Sequence, residues 1–216
     1  MKILTLDKVL GDARAILEIV DALRAGGVVC FPVRGAYRLV ADVASEDAVN
    51  RLLQSKRRTK NHPALVLVPN LASAKSVVKG TEWRTTKRMT DKFWPAPLTL
   101  VLEPSAELPA KIKRTLTRST GKLGVRVAND PLTVAVSTQF GGPLLISSAN
   151  LENKTGATSA AAIRQRFFGK LDLWVDGGDT QSELHSTLVE VTETAWTVLR
   201  EGAVPTSDIE RAMKWP

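Results

Sequence analysis

Cysteine occurs once in this 216-residue chain, at Cys30 inside the apolar run GGVVCFP. A lone thiol closes no internal disulfide, and its neighbours suit a buried strand position better than a nucleophile's setting. Histidine occurs twice, at His62 and His185, with no second ligand type at metal-binding spacing, so a zinc site built by the protein is not expected. No segment approaches the length of a membrane span, and the opening MKILTLDKV lacks the apolar core of a secretion signal. The expectation is a cytoplasmic protein with no membrane partner. There is no Ser-His-Asp set, no G-x-x-x-x-G-K-[ST], and no G-x-G-x-x-G after a strand. A nucleotide, if bound, is therefore held by another route. Linkers, low-complexity tracts and internal repeats are also missing.

What is present is a globular balance, 44% hydrophobic and 24% charged residues. A chain of this size buries a substantial core without disulfides. Thirty Lys and Arg against 22 Asp and Glu leave a formal charge of +8, and the sequence pI is about 9.8. Such an excess suits polyanionic partners such as nucleotides, RNA or DNA, though many soluble proteins carry a positive charge without one.

Ile16, Ile19, Val20 and Leu23 recur at helical spacing, predicting one helix over 9–25 that stops at Gly26 and Gly27. VVCFPV reads as a buried strand. SEDAVNRLLQSKRR reads as a helix with Ser45 at its N-cap. PALVLVPN, PAPLTLVLEP, GKLGVRVAND, GPLLISSAN and LDLWVDGG read as strands. LASAKSVVK, TEWRTTKRMTDKFW, PLTVAVSTQFGG and SAAAIRQRFFG read as helices. STLVEVT and AWTVLREG form a hairpin or neighbouring edge strands. Helices alternating with strands predict one α/β domain around a twisted mixed sheet.

In such folds ligands bind where strands end, and four polar clusters occupy those places. SKRRTKNHP carries Lys56, Arg57, Arg58 and Lys60 after a helix. Helix-dipole capping accounts for one or two of these cations, and an anion site accounts for all four. KIKRTLTRSTGKLGVR carries Lys111, Lys113, Arg114, Arg118, Lys122 and Arg126, mostly a solvated face. Arg126 differs, because a guanidinium inside the apolar alternation LGVRV needs a carboxylate or a bound anion. ISSAN ends a strand on Ser147, Ser148 and Asn150, with Thr155, Thr158 and Ser159 beyond. These are either a plain strand end or a polar lip that grips a ligand. The fourth cluster offers His185, Ser186, Thr187 and Arg200.

GGVVCFPVRGAYRL, SKRRTKNHPALVLV, FWPAPLTLVL, LGVRVANDPLTVAV, PLLISSAN, DGG, STLVEV and VLREGAV follow the order seen in the YrdC/YciO (TsaC-type) family, which residues 10–205 resemble. The remaining 206–216 read as a tail or short helix. The resemblance implies a single α/β domain of the YrdC/RibB-like kind, with a twisted mixed sheet and a basic concave surface. The activity it implies is threonylcarbamoyl-AMP synthesis from ATP, L-threonine and bicarbonate, releasing pyrophosphate and leading to the t6A modification of tRNA. ATP would arrive with Mg²⁺. Binding to tRNA or double-stranded RNA is a further family association.

By that resemblance Lys56 and Arg58 hold phosphates and serve catalysis. Arg58, His62, Lys122, Ser148, Asn150, Thr158 and Arg200 face the nucleotide, and Arg126, Ser148, Ser186 and Tyr37 face the amino acid. The family's P-T-x-T-x-Y-G-L reads here PVRGAYRL: Val33 and Gly35 replace two threonines, and Arg38 replaces a glycine. Leu67 stands where a threonine-contacting histidine is usual, and Thr59 stands where a proline is usual. These departures fall mainly on the amino-acid half, lean toward the YciO branch, and leave three readings. They are a synthase, an RNA- or nucleotide-binding module that has lost threonine activation, and adenylyl transfer to a different small acid.

Overall fold

The computed structural model describes residues 1–56, 63–117, 120–149, 159–181 and 184–214. The chain divides into two compact units, residues 1–60 with 130–183 and residues 61–129 with 184–216. The expected mixed α/β architecture is present, and among the described residues no helix is long and apolar enough to cross a membrane.

Among the described residues the first unit carries β1 (Lys2–Thr5), β2 (Val29–Val33), β3 (Ala36–Asp42), β7 (Leu144–Ser148) and β8 (Leu173–Asp176), in the order β1-β8-β2-β3-β7. β8 runs parallel to β1 and β2, while β3 runs antiparallel to β2 and β7. Trp174, Phe31, Phe167, Ile19 and Leu23 are fully buried. Cys30 is buried among them, and burial pushes its thiol well above the usual range, so it is the inert core residue its neighbours implied.

Helix boundaries in this unit follow local chemistry. The single helix expected over 9–25 is two, α1 (Leu6–Gly11) and α2 (Ala13–Arg24). Asp12 breaks it by adopting extended dihedrals and accepting the Arg14 N–H, which makes it the N-cap of α2. Ser45 caps α3 (Glu46–Ser55) by accepting the Ala48 N–H at 3.3 Å. Pro131 opens α7 (Pro131–Phe140) behind an Asp130–Thr133 capping box, and Gly141 ends it at φ 80°. Ser159 caps α8 (Ala160–Arg166).

The second unit carries β4 (Ala64–Val68), β5 (Leu98–Leu102), β6 (Leu123–Val127), β9 (Thr187–Val191) and β10 (Trp196–Arg200), ordered β4-β6-β5-β9-β10. β4 and β6 are parallel, as are β5 and β9; β5–β6 and β9–β10 are antiparallel. STLVEVT and AWTVLREG thus form the anticipated hairpin. Helices α5 (Arg84–Phe93), α6 (Ala110–Thr117) and α9 (Thr206–Met213) accompany them. LASAKSVVK yields only the one-turn helix α4 (Leu71–Ala74).

Strand alternation gives this sheet two unlike faces. Val66, Val68, Val125, Leu98, Leu100, Val189 and Val191 point one way and are buried. The opposite face takes Leu67 from β4, Gly124 and Arg126 from β6, Thr99 and Val101 from β5, and Leu188 and Glu190 from β9. That second face gathers the polar and charged side chains of these strands.

Candidate functional site

In the first unit, the end of α3 and the end of β7 make a polar corner. Lys56 is the C-cap of α3 and only 8% exposed. Its Nζ donates to Ser147 Oγ at 2.8 Å and to Ser148 Oγ at 3.2 Å. Successive strand residues normally face opposite ways, yet one ammonium reaches both hydroxyls at the end of β7. Both hydroxyl oxygens accept from the same cation.

Tyr37 has a different task. Its Oη donates to the Gly178 carbonyl and accepts the Gly177 N–H, both at 2.9 Å, while its ring stacks on Trp174 with centroids 4.4 Å apart. Burial, the main cause, pushes its pKa up to about 12, so the phenol keeps its proton and holds the glycine turn after β8. The segment PVRGAYRL is a hairpin. Arg34 (φ 47°) and Gly35 (φ 68°) are the two turn residues between Val33 and Ala36, the geometry of a type I′ turn. Arg38 follows on β3, opposite Ser148.

In the second unit, Arg126 is 7% exposed and pairs across with Leu67, itself buried. β5 and β6 pair Leu100 with Val125 and Val101 with Gly124, a register that continues to Thr99 opposite Arg126. A Cβ on Gly124 would stand 3.0 Å from the Thr99 methyl, so glycine there lets the buried threonine fit. Thr99 Oγ1 donates to Ser186 Oγ at 3.0 Å. The Ser186 carbonyl in turn accepts from the Arg200 guanidinium at 2.8 Å. Arg200 is exposed as a residue, but desolvation of its guanidinium lowers its pKa from the ordinary arginine value. Farther along the same face Lys122 Nζ meets Glu190 Oε1 at 2.6 Å.

The face thus offers a buried guanidinium, a hydroxyl pair and two further cations. Such a set suits a carboxylate beside phosphates. Sequence reasoning named Lys122, Arg126, Ser186 and Arg200, and the structure brings all four to this face. It missed Thr99 and Glu190, whose only signal was their alternation with apolar neighbours in LTLVL and TLVEV. Arg58, His62, Asn150 and Thr158 lie outside the described residues. Lys111 and Arg114 lie on the outer side of α6, opposite its buried Ile112 and Leu116, the solvated face expected of them.

The family model Sua5_yciO_yrdC, described as "Telomere recombination", matches residues 21–202. The chain belongs to the Sua5/YciO/YrdC family. The threonylcarbamoyl-AMP synthase of Pyrococcus abyssi is 29% identical over 191 residues, covering 88% of this chain and 55% of the relative. The synthase of Yersinia enterocolitica is 30% identical over 178 residues, covering 81% of this chain and 92% of the relative. The crystal structure of P. abyssi Sua5 complexed with L-threonine matches with a TM-score of 0.81 and 28% identity, over 94% of this chain and 58% of that one. The chain therefore spans about half the length of the archaeal Sua5 relative.

Within the Sua5/YciO/YrdC fold, Thr99 is a positioning residue for Ser186. Thr99→Val keeps the shape and deletes the donor. On the synthase activity named for its relatives, the expected outcome is a rise in the amino-acid KM of about fivefold, the worth of one ordinary hydrogen bond, with the melting temperature and the nucleotide KM little changed. Steady-state kinetics on both substrates check this.

Proposed function

We propose that this chain is an L-threonylcarbamoyladenylate synthase, using ATP, L-threonine and bicarbonate in the cytoplasm and supplying the t6A modification of tRNA. The observation that carries the reading is the buried Arg126 beside the Thr99–Ser186 hydroxyl pair, with Arg200 bound to the Ser186 carbonyl. The guanidinium takes the substrate carboxylate, and the Ser186 hydroxyl orients the amino acid. Lys122 and Arg200 face the nucleotide. In the first unit, the Lys56 ammonium beside Ser147 and Ser148 is the phosphate-binding group.

The threonine amine first adds carbon dioxide, derived from bicarbonate, to form a carbamate. A carbamate oxygen then attacks the α-phosphorus of ATP; the bond to the β-phosphate oxygen breaks and pyrophosphate leaves. No side chain forms a covalent intermediate, so the chain's residues contribute orientation and charge stabilisation. Among the described residues no three His, Cys, Asp or Glu side chains converge on one point. Mg²⁺ would arrive on the triphosphate and take most of its ligands from phosphate and water.

The test is pyrophosphate release with ATP, bicarbonate and each amino acid in turn. Threonine is expected to give the fastest release, and Arg126→Met to raise its KM by about 100-fold, the loss of one buried charge-assisted contact. Release that ignores the amino acid, or an unchanged KM in the variant, overturns the reading. Leu67, apolar and directly across from Arg126, favours a second reading in which a small amino acid without a hydroxyl replaces threonine; the same assay separates the two. A binding module without amino-acid activation is not favoured, since the relatives matched over most of this chain are named as synthases.

A further inference from the structure

Glu190 is the one acidic side chain on the polar face of the second unit among its described strand residues. It lies on β9 opposite Val101, and its carboxylate meets the Lys122 ammonium at 2.6 Å. Both side chains are about one-third exposed, at 31% and 32%. The pair is shielded enough to hold, and open enough to be reached from solvent. The backbone of residue 122 is fixed separately. Thr120 Oγ1 donates to the Lys122 carbonyl at 3.0 Å and accepts its N–H at 3.2 Å. Only the flexible four-carbon stem of Lys122 is left to move.

We propose that Glu190 is an internal competitor for the nucleotide. Its carboxylate occupies the Lys122 ammonium in the ligand-free protein, and phosphate must displace it. The inference rests on the nucleotide reading of this face and names a residue that sets its affinity. A lysine is suited to the exchange, because its ammonium is a compact point charge that can change partners without the fixed geometry of a guanidinium fork. The exchange trades one anion for another of higher charge. It keeps the ammonium paired in both states, and weak anions gain little by entering. An exposed ion pair with no such role would contribute little to anything measurable, so the two cases differ in outcome.

The experiment is calorimetric titration of Mg²⁺-ATP into the wild type, Glu190→Gln, Lys122→Met and the double variant. Glutamine keeps the shape of glutamate and removes its charge; with both partners partly exposed the fold is retained, and melting curves check it. Glu190→Gln is expected to tighten Mg²⁺-ATP by about 3- to 10-fold, the scale of a partly shielded charge pair. Lys122→Met is expected to weaken it, and adding Glu190→Gln to Lys122→Met should then change nothing further. Unchanged or weaker binding in Glu190→Gln overturns the inference. So does an equal tightening in the Lys122→Met background, which would mean a general charge effect. If the wild type itself takes up no Mg²⁺-ATP at millimolar concentration, the nucleotide reading fails as well. If the wild type binds and Glu190→Gln does not tighten, only the competitor role fails.

Discussion

Lys56→Met is expected to lower kcat/KM for pyrophosphate release by about 10³-fold, the scale seen when a preorganised charge donor is removed from a phosphoryl-transfer or oxyanion site. Melting is expected to stay within a few degrees. The two expectations come from one geometry. Lys56 is buried to 8% exposure, and its ammonium donates to two hydroxyls, Ser147 at 2.8 Å and Ser148 at 3.2 Å. A buried cation is costly to the folded state, and an apolar side chain of similar length relieves that cost while losing two hydrogen bonds. The losses and gains roughly cancel in stability. They do not cancel in function, because methionine offers nothing to a phosphate and leaves Ser147 and Ser148 without the donor that orients them. Lys56→Arg is expected to fail as well, since a planar fork does not fit a corner shaped around a point charge. Activity within a few-fold of wild type in Lys56→Met would remove the corner from the phosphate machinery. A large melting loss with intact activity would make Lys56 a structural tie.

Several boundaries were legible because single residues announce them. Ser45, Pro131 and Gly141 sit where capping chemistry puts them. The break at Asp12 was less visible, because the apolar spacing continues across it while the cap acts through one backbone N–H. β1 was missed since only one of its four residues is buried, leaving no alternation to read. The hairpin at Arg34–Gly35 was hidden because only its first strand, VVCFPV, was read as one. Its φ values of 47° and 68° mean that glycine at 35 serves the turn. A threonine placed there meets left-handed backbone strain of about 1–2 kcal/mol, so a lost hydroxyl is not the only reason for glycine.

The site was legible as a set of residue types and not as a network. Arg126 stood out as a charge inside an apolar run. Its company did not: Thr99 reaches Ser186 across 87 residues, and Lys122 reaches Glu190 across 68. Parallel pairing of β5 with β9 brings Thr99 to Ser186, and the same pairing together with antiparallel β5–β6 brings Lys122 to Glu190; no local pattern encodes either register. Cations are conspicuous in a sequence. The hydroxyls and carboxylates that orient them are ordinary strand residues until the sheet assembles.

Gly202→Ala is expected to destabilise the chain by about 3 kcal/mol, the scale of forced overpacking against backbone. For a chain of this size that is about 6–12 °C in melting temperature. An added Cβ would stand 2.2 Å from the His185 carbonyl oxygen, 2.7 Å from the Ser186 carbonyl carbon and 2.8 Å from the Thr187 nitrogen. All three are backbone atoms, so no side chain can swing aside. The same close approach is stitched by hydrogen bonds. The buried Thr187 hydroxyl accepts from Gly202 N at 2.9 Å and Val204 N at 3.1 Å, and donates to the Val204 carbonyl at 2.6 Å. Ala203 N donates to the His185 carbonyl at 2.8 Å. This turn follows directly from Arg200, whose guanidinium binds the Ser186 carbonyl. Pushing the two backbones apart therefore loosens the turn and the Arg200–Ser186 contact together. Nucleotide KM should rise alongside the fall in melting temperature. Thr187→Val should reproduce both effects more mildly, and Thr187→Ser, which restores the hydroxyl, should recover most of each. Gly202→Ala with wild-type melting would show that the turn has room to move. Reduced melting with unchanged nucleotide KM would show that the turn supports the fold without positioning Arg200.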